Sequence, residues 1–437
     1  MLTILAYSMI IVFMALIMTG RATALIALIV VPIVFALIGG FGGDIGPMVI
    51  SGLRAIAPTG VLLLFAILYF GLMIDVGLFD PLIRWIVKLA KGDPVRLVVG
   101  SALLAMIVSL DGDGSTTYLL CITAMLPLHR RMGINPLILP CVTMMGNSIM
   151  NIAPWGGPTA RVMSALHLEA NQVFTPLIPA MAMACLATLG VAWYLGTKER
   201  ARLKRIEWKP AHLEHSPIGG DVDLDESDKP RSSRPMFFFN LILTIGLMTC
   251  LALGVLPLPL LFMGAFAIAI SVNFPNIKHQ KERIAEHSAS ALSVVAVIFA
   301  AGVFTGILSG TKMTDAIAHS VVSAIPSSAG HFLPLITAAL SAPMTFFLSN
   351  DAFYFGVVPI LAEAAKAYGI APEIIARASL LGQPIHQLSP LVAANYVLIG
   401  VAGVEFGDHQ KFTLKWAFLL VVVMILSAGL FGIVPLF

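Results

Sequence analysis

The chain has 437 residues, of which 58% are hydrophobic and only 11% charged, with a formal net charge of +3. Ordinary soluble domains carry roughly 25% charged residues, so composition excludes a water-soluble enzyme and a nucleic-acid-binding protein and leaves an all-α polytopic membrane protein. Cys121, Cys141, Cys185 and Cys250 all fall inside apolar runs without metal spacing. They read as small packing residues and imply no disulfide framework.

In chain order, apolar runs long enough for a hydrocarbon core of roughly 30 Å predict ten spans, at 2–20, 22–40, 58–79, 136–166, 173–196, 236–255, 257–274, 289–310, 372–404 and 412–436. The first lacks a basic n-region and a small-residue cleavage site, so a span is expected there and not a signal peptide. Basic residues mark one side: Arg21; Arg84, Lys88, Lys91 and Arg96; the run 129–131; Lys198 to Lys209; and Lys278, Lys281 and Arg283. The positive-inside rule assigns that side to the cytoplasm. All of these residues share a side only if 97–131 enters and leaves on the same face, as a re-entrant hairpin with its tip at LDGDGST (110–116). The same logic makes 332–365 a hairpin from the opposite face, with its tip at LSNDAF (348–353). Both termini are then expected outside. Residues 197–235, basic at first and later acidic and Ser/Pro-rich, are expected to form a cytoplasmic, partly disordered linker.

The two sides of that linker repeat each other. At a shift of 236, Tyr118 meets Tyr354, MGINP (132–136) meets YGIAP (368–372), and MMGNSIMNIAPW (144–155) meets LLGQPIHQLSPL (380–391). At a shift of 235, Gly71 meets Gly306 and Asp80 meets Asp315. This predicts a first repeat over 1–196 and a second over 236–437, each of five spans plus a hairpin. The odd number of spans inverts the second copy. Inverted repeats with broken helices are the architecture of secondary transporters, with cargo near the midplane.

Each tip should face a broken helix, GNSIMNIAPWGGPT (146–159) or GQPIHQLSP (382–390). In the first, Asn147 and Asn151 share a helix face before Pro154, Gly156, Gly157 and Pro158 unwind the chain. The second offers Gln383, His386, Gln387 and Ser389. Unwound backbone at this depth survives around a polar cavity, where free carbonyls can hold a cation and half-helix N-termini a carboxylate. Asp111, Asp113 and Asp351 are intramembrane carboxylates and hence functional candidates. Neither tip and neither break contains Arg or Lys. An acidic pocket without Arg suits a hard divalent cation better than a naked polyanion. No HExxH, GxSxG or Asp-rich phosphoryl-transfer pattern suggests an enzyme.

The stretch LDGDGSTTYLLCITAMLPLHRRMGINPLILPCVTMMGNSIMNIAPWGGPTAR, the opening LIMTGRATALIALIVVPIVFALIGG and the pair FLSND and GQPIHQLSP resemble the citrate–metal–proton symporter family of the ion transporter superfamily. The resemblance covers nearly the whole chain. LDGDGSTT is also similar to the LDNVTT hairpin of arsenite and sodium–proton carriers, and to the Ser-Asn-Thr tips of divalent-anion sodium symporters. The chain departs from Ser-Asn-Thr, with Asp113 and Gly114 at the first two positions of one tip and Asp351 at the third of the other.

The resemblance implies uptake of citrate chelated to Mg²⁺ or Ca²⁺, driven by protons, through an elevator movement of the hairpin domain. It implies no permanently bound cofactor; the expected setting is a bacterial inner membrane, with lipid as a partner and a homodimer as a candidate assembly. Asp111, Asp113 and Asp351 are then expected to hold the metal or carry the coupling proton. Ser115, Thr116, Asn147, Asn151, Ser349 and Asn350 would bond citrate, with Gly156, Gly157, Gln383 and Gln387 lining the pocket. His386, whose unperturbed pKa lies near 6.5, would be a second proton site. A sodium–proton antiporter or a sodium-coupled dicarboxylate carrier on the same fold is the alternative.

Overall fold

A computed structural model describes residues 2–19, 21–81, 84–86, 92–112, 114–205, 234–253, 256–316, 320, 327–392 and 394–435. Among these, all regular structure is helical. The first half contains α1 (Leu2–Met18), α2 (Ala24–Ile38), α3 (Ile45–Asp75), α4 (Pro94–Val108), α5 (Gly114–Arg131), α6 (Ile138–Met150), α7 (Gly157–Leu166) and α8 (Ile178–Arg205). The second contains α9 (Arg234–Leu253), α10 (Leu258–Asn273), α11 (Ile277–Gly310), α12 (Leu333–Phe347), α13 (Val358–Lys366), α14 (Pro372–Leu380), α15 (Gln383–His386), α16 (Ala394–Ala402) and α17 (Phe406–Leu430). Six helical stretches among the described residues are long and apolar enough to cross a membrane, and shorter apolar helices accompany them. Large apolar side chains face outward, with Ile242 and Leu292 68% and 69% exposed. Water would not tolerate such a surface and lipid does.

Three element boundaries depart from expectation. The helix expected over 58–79 begins at Ile45, because Pro58 lies inside α3 and does not start it. The helix expected over 289–310 begins at Ile277, where Asn276 Oδ1 accepts from Lys278 N (2.8 Å) and caps it. The polar stretch expected to begin at 197 continues α8 as far as Arg205. Ala201, Leu203 and Lys204 are good helix formers, and the Glu199 carboxylate, 5% exposed, accepts from Asn135 N and from Arg202. The remainder of the expected linker, 206–233, lies outside the described residues.

The centre of the packing is the pair α3 and α11. Gly52 packs on Gly306, Gly60 on Phe299 and Gly71 on His287. The residue numbers rise along one helix as they fall along the other, so the pair is antiparallel. A Cβ on Gly60 would lie 2.9 Å from the Phe299 ring, and one on Gly52 would strike the Gly302 carbonyl. Small residues let the two backbones approach, the usual basis of helix association in lipid. At one end of this seam Asp75 accepts from His287 Nε2 (2.8 Å), and Arg283 reaches both Asp75 (3.7 Å) and Glu286 (2.5 Å). A shift of 235 carries Gly71 onto Gly306 and Gly52 onto position 287, so the two Gly contacts are images of each other.

Both hairpins close on themselves. Arg200 binds Asp93 at the start of α4 (2.6 Å to Oδ1), while Arg202 Nη2 donates to the Gly133 carbonyl just after α5 (2.5 Å). Two residues near the end of α8 thus hold both ends of the first hairpin. In the second, Gly330 packs directly on the Tyr368 ring. The helix leaving that junction, α14, sends Arg377 to the Gln172 carbonyl (2.8 Å), which precedes the other end of α8. A helix of 28 residues is about 42 Å long, so the hairpins close at opposite ends of the molecule.

Candidate functional site

The first hairpin turns through a short 3-10 segment, Ser109–Asp111, into Gly112, whose φ of 78° favours glycine. A Cβ there would also lie 2.9 Å from Trp155 Cδ1. Trp155 is 4% exposed and packs against Phe70 and Phe262, and its Nε1 donates to the Leu110 carbonyl (2.7 Å). Trp155 therefore both packs in the core and fastens the tip to the first break. Ser115 and Thr116 lie half-buried at the start of α5. Asp113 lies outside the described residues, and of Asp111 the backbone alone is described.

The two halves carry the same hydrogen bonds at a shift of 236. Asn147 Nδ2 donates to Tyr118 Oη (3.1 Å), and Gln383 Nε2 donates to Tyr354 Oη (2.6 Å). Gly114 lies against Asn147 Nδ2, and its counterpart Asn350 faces Gln383 Nε2 (3.5 Å). Gly146 packs on Ala105 and Met106, and Gly382 on Ser341 and Ala342. The halves are joined where Tyr118 Oη donates to Gln387 Oε1 (3.3 Å), linking the first hairpin to the second break. Asn147, Gln383 and Gln387 are all buried, so their amides first hold tips to breaks. Gln383 Oε1 is buried without a partner. Asn151 stands half-buried at the end of α6, and Gly156 permits the chain to fold back against the Asn151 carbonyl. At the second tip, Ser349 Oγ accepts from Ala352 N (3.1 Å) and starts the segment that follows.

The expectation of free carbonyls for a cation is corrected. In the first break Thr159 Oγ1 donates to the Ile152 carbonyl (2.7 Å) and Gly156 N to the Ala153 carbonyl (2.7 Å). In the second, Asn395 Nδ2 donates to the carbonyls of Gln387 (2.7 Å) and Ser389 (3.0 Å), and Gln410 Nε2 to that of Leu388 (2.8 Å). Ser389 Oγ donates to the Phe346 carbonyl (2.7 Å), the counterpart of the bond from Trp155 to Leu110. Buried carbonyls need partners, and here side chains of the same half supply them.

A second correction concerns charge. The pocket is not free of arginine. Arg161, on α7 directly after the first break, places Nε 2.6 Å from Asp351 Oδ1 on the opposite tip and donates from Nη1 to the Gly157 carbonyl (2.9 Å). Asp351 is therefore matched by a guanidinium and does not stand open for a metal. The two side chains are 18% and 16% exposed, so the pair is neither sealed in the core nor open on the surface. His386 lies within electrostatic reach of both; it is buried, and its Nδ1 donates to the Thr345 carbonyl (2.7 Å), which ties α15 to α12. Arg161, Asn395 and Gln410 escaped a search confined to the motifs, though a tip carboxylate without a partner in its own half was a signal for the first.

A separate cavity of about 620 Å³ lies beside the first tip, lined by Leu78, Phe79, Ile107, Leu110, Leu241 and Met248 among others. Its walls offer a polycarboxylate almost nothing to bond.

A profile of the family described as "Citrate transporter" matches residues 4–382. The chain belongs to that family. A "Citrate transporter" of Bacillus subtilis (strain 168) is 58% identical over 434 residues, covering 99% of this chain and all of that protein. The "Mg(2+)/citrate complex secondary transporter" of the same organism is 50% identical over 437 residues, covering both chains in full. The crystal structure of the Alcanivorax borkumensis YdaH transporter superposes with a TM-score of 0.65 at 16% identity, over 100% of this chain and 99% of that one. That likeness shows a shared fold. Family and fold together make this a multi-pass membrane transporter and not an enzyme.

Proposed function

We infer that the protein imports citrate as a complex with a divalent metal, Mg²⁺ or Ca²⁺, in symport with protons. The observation that carries this reading is the end-to-end match, at 50% identity, to a relative named for the Mg²⁺/citrate complex. The site's charge supports it. Asp111, Asp113 and Asp351 set three carboxylates against one guanidinium, Arg161. A free citrate trianion would bring three more negative charges into a low dielectric, at a cost of several kcal/mol. Chelation leaves one net negative charge and exposes metal valences that the first tip, with Asp111 and Asp113, can meet with hard oxygen ligands. Ser115, Thr116, Asn151, Ser349 and Asn350 would bond citrate oxygens. Protons taken up with the complex offset its remaining charge.

The two hairpins and their breaks would move as one body against the α3–α11 seam, in a bacterial inner membrane with the basic ends cytoplasmic. Labelled citrate uptake into proteoliposomes tests the reading. EDTA should abolish uptake, Mg²⁺ or Ca²⁺ should restore it, labelled metal should enter only with citrate, and an inward proton gradient should accelerate it. Asp113→Asn should abolish metal-dependent uptake without loss of fold. Full-rate uptake in EDTA with sodium present would refute the metal complex and point to a sodium-coupled anion carrier.

A further inference from the structure

The pair Arg161–Asp351 joins the first half's α7 to the second half's hairpin tip across 190 residues of sequence. Its chemistry is that of a carboxylate bound to a guanidinium, which is also how a protein recognises a carboxylate in a ligand. We propose that Arg161 is a cargo-binding residue, and that Asp351 is an internal stand-in that occupies the guanidinium until a carboxylate of the metal–citrate complex displaces it.

Several observations point this way. The pair is neither sealed in the core nor on the outer surface; both side chains stay partly exposed. Arg161 Nε and Nη1 are engaged by Asp351 and by the Gly157 carbonyl, and among the described residues Nη2 has no hydrogen-bond partner. The bond to Gly157 holds the guanidinium over the mouth of the first break whichever carboxylate it faces. An incoming carboxylate would replace an equivalent one, so the exchange leaves no buried cation unpaired. Displacement also frees the second tip from α7. Occupancy of the site by cargo then decides whether that tip is held. Tyr354 and His386 are buried and committed elsewhere, to Gln383 and to the Thr345 carbonyl respectively.

The inference rests on the citrate reading above, and binding measurements on purified full-length protein separate the two. Isothermal titration with magnesium citrate at one fixed pH should show binding by the unaltered protein; no binding there would overturn the citrate reading itself. Arg161→Gln should weaken affinity by about tenfold or more, the usual effect of losing a charge-assisted bond. Asp351→Asn should do the reverse and tighten it several-fold, since a competitor is removed. Arg161→Gln leaves Asp351 unpaired and can impair folding, so the double variant Arg161→Gln/Asp351→Asn is measured beside it. The double variant should regain thermal stability and stay weak in binding. Opposite signs for the two single variants support displacement. Weakened binding in Asp351→Asn, in a protein that still unfolds cooperatively, would make Asp351 a ligand of the cargo and overturn it, as would unchanged affinity in the double variant.

Discussion

Single residues here do two jobs. Tyr118 and Tyr354 are fully buried, and each hydroxyl accepts from an amide at the matching position of its half, Asn147 or Gln383. Replacing Tyr118 by Phe strands the Asn147 and Gln387 amides, and a buried group without its partner costs about 1–3 kcal/mol. Tyr118→Phe should therefore lower the thermal midpoint in detergent, and Tyr354→Phe should do so through Gln383; a midpoint equal to that of the unaltered protein in both would show the amides to be satisfied elsewhere. At this scale the sequence was informative about place and less so about partnership. The 236-residue shift located Asn147, Gln383, Gln387 and both tips. It could not show that the amides serve the tyrosines, because an amide reads alike whether it waits for a ligand or closes a tertiary bond. Arg161 was missed for a related reason: its meaning lies in Asp351, a residue that folding alone brings beside it.

Elements were legible where apolar patterning decides them and misread where capping and packing do. The third span was expected over 58–79 from its apolar run, yet α3 begins at Ile45 and carries Pro58 inside it, where neighbouring helices tolerate proline. Polar residues 197–205 looked like linker, but Glu199 and Arg202 tie them to the loop after α5. The start of α4 makes a testable case. Asp93 caps it by accepting from Val95 N (3.0 Å), and the Arg200 guanidinium beside it holds its carboxyl below the usual carboxylate range. A depressed folded pKa gives stability that is present above the ordinary carboxylate pKa and lost as pH falls through that range toward the folded value. Asp93→Ala should thus cost about 1 kcal/mol at neutral pH and progressively less on acidification, in thermal melts recorded at several pH values. A cost that does not change with pH would mean that the charge contributes nothing. The α3–α11 seam is a second case. Gly52→Leu drives a side chain into the Gly302 carbonyl, and overpacking of this kind costs roughly 1–3 kcal/mol or more. Its effect should appear as loss of folded yield, whereas leucine at Gly264, where a Cβ meets nothing within 4 Å, should be accepted.

For the whole molecule, charge and length rules lead to two hairpins entering from opposite faces; in the structure Arg200 and Arg202 hold the ends of the first, and Gly330 packs on Tyr368 at the ends of the second. Orientation follows as a prediction: in a background cleared of native cysteines, His215→Cys should react with an impermeant maleimide from the cytoplasm and Ser327→Cys from outside. Reaction of both from one side would end the inverted arrangement. The seam has a further consequence, which concerns bilayer thickness. α3 runs over 31 residues, about 45 Å, against a hydrocarbon layer of roughly 30 Å, whereas the apolar part of α11, Ala291–Gly310, has 20 residues and matches that layer. Free helices would absorb that mismatch by tilting. These two are held together from Gly52–Gly306, backbone on backbone, to Gly71 against the His287 ring, so neither tilts without the other. Lipid must therefore adapt to the protein, and the deformation falls on the hairpins, the body proposed above to move beside the seam. Lengthening the acyl chains of the host vesicle should accordingly change the rate of uptake while leaving cargo affinity untouched.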